Sequence, residues 1–112
     1  VNIDSVESIS MLEKHDFECI KNIDLNSALY FSAVMSYKTI FNASVVLNCS
    51  APTVSIMLKR FCSYFPVPLF EREGRCLSPT KYAVELDKMI GETFLKFSVA
   101  MSNDPRKVTI FK

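Results

Sequence analysis

Apolar residues recur every three or four positions along most of this chain, the period of a helix with one buried face. Val6, Ile9 and Leu12 predict a short helix from about Ser5 to Lys14. The pattern sharpens at Asp24. Asp24 or Asn26 can cap a helix on which Ala28, Phe31, Val34 and Met35 share a face, closed by Lys38 at its negative end. Thr39 caps a second helix with Ile40, Ala43, Val46 and Leu47 on its stripe. Asn48-Cys49 is a tight turn, because Asn tolerates left-handed backbone angles. Ser50 caps a third helix, and Pro52 falls in its first turn, where a missing N–H does no harm. Val54, Leu58, Phe61 and Phe65 form the buried stripe; Thr53, Ser55, Ile56, Lys59 and Arg60 face the other way. Pro66 and Pro68 stop this helix.

Two short helices joined by a three-residue turn form a helix-turn-helix, in which the first helix braces the second. Leu69–Arg72 reads as a short strand, Glu73-Gly74 as a turn and Arg75–Leu77 as the return strand. The fold class expected is mainly α: a winged helix-turn-helix (three-helix core plus two-stranded wing) followed by a long dimerisation (linker) helix. Ser78-Pro79-Thr80 opens that helix, with Thr80 as N-cap. Its apolar positions include Tyr82, Leu86, Met89, Ile90, Thr93, Phe94, Phe97, Ala100 and Met101. So wide a stripe exceeds what a small domain covers, and pairing with a second copy is the expected solution, an intrachain core helix the plainer one. Leu86, Met89, Ile90, Thr93, Phe94, Phe97 and Met101 are the expected dimer contacts. Arg106–Lys112 alternates polar and apolar residues like a strand. The expected organisation is an acidic extension at 1–23, the winged helix-turn-helix at 24–81, the linker helix at 82–103, and at 104–112 a strand leading to an absent effector domain.

With 112 residues the chain is one domain's worth of sequence, and 49% hydrophobic against 22% charged residues argues for a real core. The net charge of +1 hides an uneven placement. Residues 1–24 carry net −4, residues 25–37 no charge, and residues 38–81 net +4. A basic middle points to an anionic partner, while a solvated surface is the plainer explanation. Cys19, Cys49, Cys62 and Cys76 include no C-x-x-C pair, and His15 stands apart from a cysteine cluster, so neither a structural metal nor a cofactor is expected. Four reduced thiols in a cytoplasmic protein are the simpler reading. No uncharged apolar stretch approaches membrane-spanning length. With two glycines, one His and no paired carboxylates around an evident pocket, an enzyme is not expected.

One combination of residues is more specific than any of these patterns. Asp24-Leu25-Asn26, Tyr30-Phe31, Ala33-Val34, Ala43, Leu47, Ser50, Pro52, Val54-Ser55, Pro68-Leu69-Phe70-Glu71-Arg72, Gly74-Arg75 and Pro79-Thr80 occur in the order and at the spacing of the LysR-type transcriptional regulator DNA-binding domain. The chain resembles that family from about Asp24 to Leu86, and its linker helix to about Ser102. The resemblance implies a third helix in the DNA major groove, a linker helix that dimerises in antiparallel fashion, and a following effector domain to which any small-molecule effector would bind. The chain departs from the family pattern at three places. Ala51 stands where the family commonly has Gln, Phe41-Asn42 where it has Thr-Arg, and Ile56 where it often has a basic or polar residue.

The function expected is therefore a dimeric, sequence-specific DNA-binding transcription regulator. Lys38, Lys59, Arg60, Arg72, Arg75 and Lys81 are candidates for phosphate contact, with Asn42 and Ser50 beside them. Ala51, Pro52, Thr53, Ser55 and Ile56 are the candidates for base readout, with thymine-methyl contacts from Ala51, Thr53 and Ile56. The alternative is a degenerate winged helix that serves as a protein-interaction module, marked by exposure of Phe41, Ile56 and Met57.

Overall fold

The computed structural model describes residues 11–74 and 76–102. The elements run α1 (Lys14–Ile20), α2 (Ser27–Tyr37), α3 (Ile40–Val46), α4 (Ala51–Cys62), β1 (Phe70–Glu73), β2 (Cys76–Pro79) and α5 (Lys81–Met101). The fold is the expected winged helix-turn-helix with a long final helix. The leader helix expected from about Ser5 to Lys14 lies mostly outside the described residues, and a helix not expected from the sequence follows it. The described helix begins where that reading ended, at Lys14, because the Asp16 carboxylate accepts the Glu13 N–H at 3.0 Å and defines a start there. None of the α1 side chains is buried. The expected strand at 104–112 lies outside the described residues.

Local chemistry sets the boundaries of the remaining helices. Asn26 is the α2 N-cap residue by position, while the Asp24 carboxylate accepts the Asn26 N–H at 3.1 Å. Lys38 ends α2 in the left-handed region at φ 76°, its N–H donating to the Val34 carbonyl at 2.8 Å. The Thr39 hydroxyl accepts the Asn42 N–H at 3.0 Å and starts α3. Asn48 turns the chain at φ 53°, and α4 leaves α3 at a bend of 106°, within the helix-turn-helix range. Thr80 performs two tasks. Its hydroxyl accepts the Ala83 N–H at 3.2 Å to cap α5, and donates to the Pro68 carbonyl at 2.9 Å at the base of the hairpin.

Helices α2, α3, α4 and α5 enclose one core. Phe31 is fully buried at its centre, 4.9 Å from the Phe61 ring and 6.1 Å from Phe70. Ala28, Val34, Ala43, Val54, Leu58, Leu69, Ala83 and Ile90 surround it. The expected stripe of α3 holds at Ala43 but not at Val46, which is exposed. Ser44 is buried beside Ala43, so the buried face is centred between them and Val46 turns outward.

Strands β1 and β2 pair antiparallel with Arg72 opposite Leu77 and Glu73 opposite Cys76. Gly74 sits at the turn with φ 63°, a conformation in which a side chain is strained. Both strands sit later in the chain than the sequence pattern suggested. The first starts at Phe70, and the second extends through Ser78 and Pro79, residues expected to open the last helix. Pro79 is tolerated because it ends an edge strand.

The dimer stripe expected on α5 is split. Ile90 is buried in the core of its own chain, and Leu86 and Phe94 pack against that core. Helix α2 lies alongside α5 and takes up that part of the stripe. Thr93 turns its hydroxyl back to the Met89 carbonyl at 3.0 Å, the usual resting place of a mid-helix threonine. Met89, Leu95, Phe97 and Met101 remain exposed, Phe97 at 60% and Met101 at 78%.

Candidate nucleic-acid interface

The site begins with the turn into α4. Ser50 is extended, and its hydroxyl accepts the Thr53 N–H at 3.2 Å while bonding the Thr53 hydroxyl at 2.8 Å. The cap fixes the first turn of the helix, and Pro52 stiffens it further. Val54, Leu58 and Phe61 bury one face of α4, which rolls the opposite face outward. Pro52, Ile56 and Lys59 are exposed there, with Ala51, Thr53 and Ser55 half-buried beside them. The six residues therefore form one outward row, mixed in character: two small hydroxyls, three apolar residues and one cation.

The candidate cations differ in how free their charge is. Lys59, Arg72 and Lys81 are exposed and make no ion pair among the described residues. Arg75 lies outside the described residues. Lys38 is exposed at the end of α2, beside the hairpin.

Arg60 departs from its expected role. Its Nη1 donates to Asp24 Oδ2 at 2.9 Å, joining the end of α4 to the chain ahead of α2. The Asp24 N–H in turn donates to the Tyr64 hydroxyl at 2.8 Å. The Arg60 charge is thus spent within the fold, in a partly exposed pair of modest worth. Asn42 is also occupied: its side-chain amide donates to the Tyr37 carbonyl at 3.2 Å, satisfying the end of α2. Asp24 did not stand out in the sequence as a partner for Arg60 or Tyr64, since 36 and 40 residues separate it from them.

Two apolar side chains lie at the rim. Phe41 is 68% and Ile56 59% exposed, whereas Met57 is half-buried and within 3.5 Å of Arg60 Nη1. The thiols are all free: Cys19 and Cys76 exposed, Cys49 and Cys62 half-buried, with burial pushing the Cys62 thiol up from its ordinary pKa. Among the described residues no group of three or more His, Cys, Asp or Glu side chains could hold a metal. No single described helix is long and apolar enough to cross a membrane.

Comparison with known proteins agrees with this geometry. The family model described as a bacterial regulatory helix-turn-helix protein of the lysR family matches residues 25–84. The chain is 38% identical over 76 residues to the uncharacterized HTH-type transcriptional regulator YbeF of Escherichia coli, covering 68% of this chain and 24% of that protein. It is 39% identical over 67 residues to the HTH-type transcriptional regulator LeuO of the same species, covering 60% of this chain and 21% of LeuO. Among solved structures, the probable transcriptional regulator PA0477 from Pseudomonas aeruginosa superposes with a TM-score of 0.67 at 25% identity, covering 75% of this chain and 28% of that one. The chain thus spans about a quarter of the length of the curated relatives it matches.

Proposed function

The chain belongs to the lysR family of bacterial regulatory helix-turn-helix proteins, and from that premise we propose that it is the DNA-reading part of a dimeric, cytoplasmic transcription regulator. The observation that carries the proposal is the outward row on α4. A capped, proline-stiffened helix presents small and hydroxyl side chains at its start and a free lysine further along. Such a helix suits the major groove, where Ala51, Thr53 and Ile56 can meet thymine methyls and Ser55 a base edge. Lys59, Arg72, Arg75 and Lys81 supply phosphate contacts, with Lys38 next in rank; Arg60 serves as a brace. In this reading one duplex meets both the wing and the row.

Dimerisation is proposed through the exposed half of α5. Phe97 and Met101, with Leu25 and Leu29 of the α2 region, line an apolar groove of about 450 Å³. Apolar surface of this kind is costly to leave in water, and a second α5 laid in the groove covers it. The expected contacts therefore reduce to Met89, Phe97 and Met101 as primary, with Leu86, Ile90, Thr93 and Phe94 behind them. An effector domain of the full-length regulator, expected beyond residues 104–112, would take a small-molecule effector of its own.

The test is selection of bound sequences from random duplex DNA, alongside the Lys59→Ala and Arg72→Ala variants. A shared motif, with weaker binding by both variants, is expected. If neither substitution changes binding, the docking is wrong. Exposure of Phe41 and Ile56 favours a second reading, a winged helix serving as a protein-interaction module. It predicts no duplex binding even at low salt.

A further inference from the structure

A second cleft, of about 690 Å³, opens between the end of α2, the start of α3, the hairpin and α5. It lies nearer the start of α5 than the apolar groove does and is a ligand-sized space. Val34, Leu58, Phe70 and Val84 give it apolar walls. Asp87, from the first half of α5, enters it as a carboxylate. One oxygen of that carboxylate, Oδ1, is buried with no hydrogen-bond partner. A buried acceptor left unpaired carries its full desolvation penalty, which a donor entering the cleft would relieve. Burial raises the Asp87 pKa, opposed by a hydrogen bond from Ser32 and by the charge of Lys38. Lys38 lines the same cleft without coming within ion-pair distance of Asp87. An acidic floor, apolar walls and a cation at one side together define a ligand.

We propose that this cleft binds a small amphipathic organic amine, its ammonium donating to Asp87 and its apolar body lying against Val34, Phe70 and Val84. The torsion that turns a carboxylate is soft, so either oxygen can swing to meet the ammonium. A charge-assisted hydrogen bond answers the unpaired acceptor better than a neutral donor does. The other charged group facing the ligand is Lys38, which repels a cation. The site therefore has an internal sign test: removing Lys38 should strengthen amine binding, and removing the Asp87 charge should weaken it.

The experiment is a titration of the isotope-labelled protein with 2-phenylethylamine, followed by nuclear magnetic resonance, in the absence of DNA. Saturable shifts are expected at residues around Val34, Phe70 and Val84, with slower alkylation of Cys76, which also lines the cleft. Asp87→Asn should weaken binding roughly tenfold or more, the loss of one hydrogen bond to a charged group. Lys38→Met should tighten it, and 3-phenylpropionate should bind more weakly than the amine to the unsubstituted protein. Val84→Phe, which fills the cleft without touching a charge, should block binding even if Asp87→Asn were to unfold the chain. No saturable shift at millimolar amine, equal binding by Asp87→Asn, or tighter binding of the acid would each overturn the proposal. Because DNA plays no part in the readout, failure here and failure of the DNA-reading proposal are separable.

Discussion

The outer face of α4 and the second half of α5 are both turned to solvent, and they differ in kind. The outer face of α4 is small, hydroxylated and cationic, and its backbone is fixed at its start by Ser50 and Pro52. The second half of α5 is greasy, with Leu95, Phe97 and Met101 exposed. Water tolerates the first face well and the second poorly. A surface of the first kind suits a hydrated, anionic partner, and one of the second kind suits another apolar surface. The same core supports both, since Phe31 contacts Phe61 of α4 and α2 packs along α5. Position relative to the core, rather than composition alone, decides what each face is free to meet.

The largest perturbation should abolish the distinction altogether. Phe31→Ala removes the fully buried ring on which both helices rest and should cost about 3–5 kcal/mol of stability, measured by urea unfolding. Breaking the greasy face alone is the next test. Phe97→Glu should weaken self-association on the order of 100-fold, about 2.7 kcal/mol, read by analytical ultracentrifugation, with the fold intact. On the other face, Ser50→Ala should cost about 1 kcal/mol by removing the cap, seen as a lower denaturant midpoint with an unchanged slope. Lys59→Ala sharpens the contrast. It should reduce the salt slope of DNA binding by about 1 and leave self-association alone. The smallest effect concerns Asp87. Its folded pKa is raised above the unfolded value, so its contribution is fully favourable below the unfolded pKa and is lost as pH rises through the folded one. Asp87→Asn should therefore match or exceed the unsubstituted protein in stability at neutral pH, with the difference closing in acid. Thermal unfolding across a pH series checks this.

Much of the fold was legible because local chemistry and burial agree. Thr39, Ser50 and Thr80 are polar residues placed before apolar stripes, and each caps its helix. Val54, Leu58 and Phe61 are buried at the spacing that marked them. The wing was located but its limits were not, since Ser78 and Pro79 suit a helix start as well as a strand end. The partition of α5 was illegible for another reason. Its stripe is continuous in the sequence, and only the position of α2 decides that Ile90 lies inside and Phe97 outside. Asp87 had a signal that periodicity could have revealed, since it lies four residues after Ala83 and three before Ile90, both buried. The Asp24–Arg60 pair had none, being set by how the end of α4 meets the approach to α2.

One hydroxyl ties the hairpin to the long helix. Thr80 holds the Pro68 carbonyl and the first turn of α5 together, and its own N–H reaches the Leu69 carbonyl at 3.0 Å. Three bonds at one residue leave little slack between the two parts, so a roll of the rod about its axis drags the β-ribbon with it. Torque applied far along α5 is thereby geared to the ribbon tip, and a wing that cannot pivot alone can only report what its shaft is doing.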